Sequence, residues 1–237
     1  AGKSRIYGAH LFVWPESMLN LHPDANEIEF DLVPDRILFN GPYYLPEPSH
    51  LDCSVGPSLR SVHIFDSTST SADGKIVLVV LPYMDELIRY ILPLLPQVDW
   101  PAPVLVKFHP SVDASAYRGF IAGNVRISEK NPNELLMKAR LVVGQSTGVL
   151  VEAASLGIPV IITESPDLFS HHYMPEFGKG IIWDTAHDVA SIAKCVSHFE
   201  ILLRDDPEAI NRAAMQLREQ CFCRPESEKI VEAFNLA

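Results

Sequence analysis

Short, continuous apolar runs recur along most of this chain, separated by stretches with helical spacing. Residues 76–81 (IVLVVL), 103–108 (PVLVKF), 125–128 (VRIS), 141–143 (LVV) and 160–163 (VIIT) are such runs, each bounded by glycine, proline or polar residues. The runs at 76–81, 141–143 and 160–163 are apolar enough to predict strands buried on both faces, and 103–108 and 125–128 predict strands as well. The stretches between them predict helices over 85–95, 117–122, 133–139 and 149–156. A short strand at 181–182 follows, then helices over 188–203, 207–221 and 227–234. Strand and helix alternate five times with short connections. That alternation calls for a parallel sheet covered on both faces: an α/β fold, doubly wound and Rossmann-like.

The first 70 residues follow a different pattern. Strands are expected at 6–13, 36–39 and 61–65. Residues 14–35 are irregular, with Pro15, Pro23 and Pro34, and Pro46, Pro48 and Pro57 make 43–57 loop and turn. This segment reads as the closing part of a partial second α/β domain whose beginning lies outside the chain. Residues 66–74, DSTSTSADG, are the linker candidate. The expected organisation is therefore 1–70 as that partial domain with its linker, 71–200 as the Rossmann-like domain and 201–237 as C-terminal helices.

The densest pattern is RLVVGQSTGVLVEAASLGIPVIIT, residues 140–163. It reads as strand, polar turn, helix and strand, one βαβ unit. Gly144 ends the first strand, and Gln145, Ser146, Thr147 and Gly148 form the turn. Ser146 is the expected N-cap, and the first backbone N–H groups of the following helix lack partners within it. With the helix dipole they would form an anion site. Gly148 would let a ligand approach the backbone. Glu152, four residues on, can face the same side and accept hydrogen bonds from ribose hydroxyls. The alternative is a plain cap and a solvated helix carboxylate. Gly157 suits the left-handed residue that closes the helix.

A second motif is Lys107-Phe108-His109-Pro110 at another strand end. Lys107 and His109 are two apart, so their side chains share a face. Pro110 holds His109 extended. The imidazole can donate to a phosphate oxygen and the lysine adds charge; taken on its own, this motif is better read as a histidine that merely caps the next turn. In doubly wound sheets ligands sit beyond the carboxyl ends of the strands. Leu81-Pro82-Tyr83, Lys107 to Pro110 and Gly144 to Gly148 would all face one crevice there.

Charge and cysteine content narrow the classes. The 237 residues carry a net charge of −11 and are 47% hydrophobic. An acidic chain argues against sequence-independent nucleic-acid binding, yet one local anion site can still hold a nucleotide. No apolar run approaches the ~20 residues of a membrane-spanning helix, and no secretory signal is evident. Cys53, Cys195, Cys221 and Cys223 show no CxxC pair, so free thiols are expected rather than a disulfide framework or zinc site. Cys221-Phe222-Cys223 is a faint hint of a metal or redox pair. His171-His172-Tyr173 is read as either a surface loop or a substrate contact, His63 and His198 as packing or surface residues, and Trp100 and Trp183 as core or edge.

Taken together, a strand ending in KxHP, a strand ending in a Ser/Thr turn some thirty residues on, and a helix carrying EAxxLGxPV resemble the C-terminal half of GT-B glycosyltransferases. The likeness is to the bacterial sialyl-, polysialyl- and Kdo-transferases of capsule synthesis, and to the CDP-glycerol glycerophosphotransferases of teichoic acid synthesis. UDP-GlcNAc 2-epimerases share the LGxPV helix but usually have a Ser-Gly-Gly turn, where this chain has Ser146-Thr147-Gly148. Residues 75–200 carry the likeness. IYGAHLFVWPES and PDRILFNGP extend it more loosely, with Ala9 where a glutamine is frequent before His10.

The resemblance implies that His109 binds the donor phosphate or stabilises the departing nucleotide. Lys107, Pro110, Gln145, Ser146, Thr147 and Gly148 would complete the phosphate site, and Glu152 would hold the ribose. The base would lie near Pro82 and residues 128–130. No metal and no cofactor is implied beyond the nucleotide-activated sugar, with a cytidine (CMP-linked) donor favoured. The acceptor would be a polysaccharide or lipid-linked glycan, and the location cytoplasmic, at the inner face of the bacterial inner membrane, with peripheral membrane contact. GT-B enzymes react between two Rossmann-like halves, of which this chain holds one complete. The general base usually comes from the other half, and Glu16 or Asp24 has no motif support for that role. The rival readings are a non-catalytic nucleotide-binding or scaffolding module of the same fold, and an epimerase.

Overall fold

The computed structural model describes residues 36–46, 52–66, 74–168 and 172–234, and the backbone of 6–9. The expectations for 10–35 (including His10, Glu16 and Asp24), for linker residues 67–73 and for His171 lie outside the described residues.

The chain divides into two compact units, Ala1–Asp66 with Arg218–Ala237, and Ser67–Leu217. The first holds a three-stranded parallel sheet in the order β1 (Ile6–Ala9), β2 (Arg36–Phe39), β3 (Cys53–Val55). β3 falls within the stretch read as loop. The prolines that prompted that reading flank the strand rather than sit in its ladder. The strand expected at 61–65 is instead a 3-10 turn, Leu59–Ser61, followed by α1 (His63–Asp66). Ser61 and Ile64 are the buried positions there, a spacing of three that fits a helical turn and not a strand.

The second unit is built on six parallel strands: β4 (Ile76–Val80), β5 (Val104–Lys107), β6 (Val125–Ile127), β7 (Ala139–Gly144), β8 (Val160–Thr163) and β9 (Trp183–Ala186). Their spatial order is β6-β5-β4-β7-β8-β9. The chain winds outward from β4 in one direction, then crosses back and winds outward from β7 in the other. The sheet is doubly wound, and its switch point lies between β4 and β7. β4, buried from Val77 to Val80, and β8, buried throughout, read as continuous apolar strands because both their faces are covered.

The helices are α2 (Asp85–Ile91), α3 (Pro132–Leu136), α4 (Val149–Ser155), α5 (Val189–Asp205), α6 (Pro207–Cys221) and α7 (Ser227–Phe234). α5 buries Ile192, Cys195, Val196, Phe199 and Leu203, a stripe at helical spacing. Asp188 and Ser191 form its capping box. The boundary between the two units falls inside α6.

Three expected elements take other forms. The helix at 117–122 is a 3-10 segment, Ala114–Phe120, capped by Asp113, whose carboxylate accepts from the Ser115 amide at 2.9 Å. The helix at 133–139 stops at Leu136, because β7 begins at Ala139. Ile181 and Ile182 lie in a turn rather than a strand. Gly178 and Gly180 adopt φ of 81° and 75°, and the Gly178 carbonyl accepts from both isoleucine amides. The strand starts at Trp183, which is fully buried.

Candidate functional site

The register of the sheet brings the tips of β5, β4 and β7 side by side at its carboxyl end. Burial alternates along β5: Val104 and Val106 are buried, Leu105 and Lys107 half-buried. Phe108 continues that alternation inward and packs on Tyr117, with ring centroids 5.4 Å apart. Lys107 and His109 both line a cavity of about 510 Å³. Pro110, Ser115, Arg118, Ser128 and Glu129 line it too. Residues 128–129, expected near the base, line the same cavity from the end of the neighbouring strand β6. They are held there because the Ser128 amide donates to the Val106 carbonyl at 2.9 Å, extending the β5–β6 ladder past the strand.

The geometry sets the tautomer of His109. The Ser111 amide donates to Nδ1 at 3.2 Å, so in the neutral ring the proton sits on Nε2. Nε2–H is then the donor free for a ligand. The ring edge of Tyr83, at the tip of β4, approaches His109 with centroids 5.9 Å apart. Tyr83 is 65% exposed. Burial raises the pKa of the Tyr173 phenol, and the nearby Tyr83 adds to the shift. His172 packs on Trp183 at 5.2 Å, with Nε2 3.9 Å from the Glu164 carboxylate.

Sequence reasoning passed over the wall formed by residues 113–118. The 3-10 segment carries Arg118 to the cavity, so three basic groups, Lys107, His109 and Arg118, face one space in an acidic protein. Asp113 also lines it, but its carboxylate is engaged by the amide and hydroxyl of Ser115, and those hydrogen bonds hold it below the usual carboxylate range. Tyr117 ties this wall to α2: its hydroxyl donates to Asp85, and Arg89 stacks over its ring at 5.5 Å. The Asp113-x-Ser115 pairing was the available sequence signal for this turn.

The β7 turn is arranged differently from expectation. Gly144 is required by close approach, since a Cβ there would lie 2.6 Å from the Val80 carbonyl oxygen of β4. Ser146 is not the N-cap. It has φ of 48°, in the left-handed region that non-glycine residues seldom occupy, and the cap is Gly148. Thr147 supplies the hydroxyl, accepting weakly from the Val149 amide at 3.4 Å. The amides of Leu150, Val151 and Glu152 are taken by the carbonyls of Thr147 and Gly148, so the first turn offers fewer free donors than a fully open helix start.

Glu152 is only 6% exposed, and Gln145 is fully buried. Neither they nor Ser146, Thr147 and Gly148 line the 510 Å³ cavity, whereas Lys107, His109 and Pro110 do. Among the described residues, no group of three or more His, Cys, Asp or Glu side chains is placed to hold a metal ion. No helix among them is long and apolar enough to cross a membrane.

The fold is of the GT-B type, with the six-stranded sheet as one Rossmann-like half. No family model matches the chain, and no curated protein sequence is significantly similar to it. Among solved structures it is similar to S. aureus MnaA in complex with UDP, at a TM-score of 0.54 and 12% identity over 97% of this chain and 68% of that one. Anabaena HepE in complex with UDP and glucose gives 0.50 and 14%, over 98% of this chain and 69% of that one. A variant of the wall teichoic acid polymerase TagF gives 0.50 and 11%, over 91% and 62%. At these identities the likeness is one of fold. The chain spans about half to two thirds of the length of the structures it resembles, from 45% to 69%.

Proposed function

We propose that this chain is the donor-binding part of a nucleotide-sugar-dependent glycosyltransferase of bacterial surface-polysaccharide synthesis. The observation that carries the reading is the convergence of Lys107, His109 and Arg118 on one cavity at the carboxyl end of a doubly wound sheet. Two cations and an imidazole donor in a protein of net charge −11 make a local site for phosphate. His109 Nε2–H donates to a phosphate oxygen, Lys107 and Arg118 offset the charge that grows on the departing nucleotide, and Ser128 and Glu129 border the base. Ser146, Thr147 and Gly148 approach the phosphates from the neighbouring strand tip, and Glu152 serves the ribose side. The sugar acceptor is a polysaccharide or lipid-linked glycan, reached at the inner face of the bacterial membrane. The KxHP and Ser/Thr pattern favours cytidine as the base. The two similar proteins solved with UDP make uridine the necessary comparison.

The test is thermal unfolding with CMP, CDP, UDP and GDP, each alone, beside His109→Ala. A nucleotide at about 100 times its Kd adds roughly 2.7 kcal/mol, a shift of several degrees. The expected result is a shift with one base, lost in the variant. No shift with any nucleotide overturns the reading and moves a scaffolding role ahead. Release of free UDP from a UDP-sugar with no acceptor present would favour an epimerase instead.

A further inference from the structure

The wall that carries Arg118 is a 3-10 segment of seven residues, Ala114–Phe120. Runs of this kind longer than about three or four residues are uncommon, because their hydrogen bonds are poorly aligned. A segment of this length depends on side-chain tethers for its place. Asp113 and Ser115 close its first turn locally. Tyr117 supplies the tether to other elements. Its ring is buried and packs on Phe108, the residue between Lys107 and His109. Its hydroxyl donates to one carboxylate oxygen of Asp85 at the start of α2, and the other oxygen accepts from Arg89 at 2.8 Å. Arg89 closes the triangle by lying over the Tyr117 ring, 5.5 Å from its centroid. Arg118 follows directly and lines the cavity, whereas neither Tyr117 nor Asp85 does.

We propose that the Tyr117 hydroxyl and the Asp85 carboxylate are positioning groups for Arg118: they fix the 3-10 wall against α2 and so hold the guanidinium at the cavity. The inference rests on the donor-site reading above. It adds a division of labour within one side chain. The hydroxyl acts on phosphate affinity through Arg118 alone, and the ring acts by packing behind the strand tip that presents Lys107 and His109. Holding the wall in place before the ligand arrives removes part of the ordering cost of binding.

The experiment is a double-mutant cycle read by calorimetric titration with CMP, CDP, UDP and GDP. Tyr117→Phe removes the hydroxyl and keeps the ring, Arg118→Ala removes the cation, and the third variant carries both changes. Tyr117→Phe should weaken binding about fivefold and Arg118→Ala about tenfold. The double variant should match Arg118→Ala within about twofold, because the hydroxyl has nothing left to position. A merely structural hydroxyl would weaken binding by the same factor with or without Arg118, and that additive result overturns the inference. A Tyr117→Phe affinity within about twofold of wild type, a change too small to carry a positioning role, overturns it too. Either leaves the donor-site reading standing. Asp85, with a side chain 55% exposed, gives a second route to the same contact without emptying the core. Asp85→Ala should weaken binding as Tyr117→Phe does, and Asp85→Asn, which keeps an acceptor for the hydroxyl, should restore most of the affinity. A loss in Asp85→Asn equal to that in Asp85→Ala overturns the inference as well. Wild type that binds none of the four nucleotides overturns both readings.

Discussion

Gly144→Ala tests the architecture at the switch point directly. The added Cβ would meet the Val80 carbonyl oxygen at 2.6 Å, about 0.7 Å inside an ordinary C···O contact of ~3.3 Å. The Leu150 methyl at 3.0 Å can rotate away, but the Val80 oxygen cannot. It belongs to the backbone of β4, and Val80 and Gly144 are register partners in the central ladder. The Gly144 carbonyl is itself fixed from the other side by the buried Thr163 hydroxyl, 3.3 Å away. Relief requires β4 and β7 to separate at their tips, an overpacking strain of about 2 kcal/mol. For a unit of this size that lowers Tm by about 4–8 °C. The assay is thermal unfolding of Gly144→Ala beside Gly119→Ala, where a new Cβ would meet nothing within 4 Å. A Gly144→Ala transition within 1 °C of the Gly119→Ala control would refute the reasoning.

Two further outcomes can be checked with ordinary reagents. Burial pushes the Cys195 and Cys221 thiols up to about 11 and about 12. A thiol reagent at pH 8 should therefore modify Cys53 and Cys223, the two half-exposed cysteines, and reach the other two only after unfolding, as counted by mass spectrometry. The Asp85 carboxyl is held below its ordinary value of 3.8 by the Tyr117 hydroxyl and then by Arg89. A depressed carboxyl contributes stability above its unfolded pKa and loses it as the pH falls through the folded one, so the loss falls below about pH 4. Asp85→Asn should flatten the acid limb of a Tm-against-pH curve there. A limb parallel to wild type would mean that the Tyr117–Asp85 contact does not form in solution.

Much of the second unit was legible because its strands are buried on both faces. The runs at 76–81 and 160–163 could be little else, and the observed strands Ile76–Val80 and Val160–Thr163 differ from them by at most one residue. The pairing of Lys107 with His109 followed from the two-residue period alone. Features that depend on backbone conformation were not legible. The left-handed Ser146, the 3-10 wall that delivers Arg118, and the turn at Gly178 that delays the last strand to Trp183 carry no periodic signal. In the first unit Cys53–Val55 is a three-residue strand between prolines, too short for alternation to show.

The first unit is assembled from the two ends of the described chain, and this fixes an order of events during synthesis. The Cys223 amide donates to the Ser58 hydroxyl across 165 positions, Arg224 reaches the Phe65 carbonyl, and Gly41 lies against the backbone of Cys221. None of these contacts exists when the ribosome has finished residue 66. At 5–20 residues per second, roughly 8–30 s separate Ser58 from its partner. The contiguous stretch Ser67–Leu217 can fold within that interval, while β2 and β3 wait with their own unit unfinished. A nascent chain stalled before Cys221 should then protect the second unit from protease and leave residues 36–66 open to cleavage.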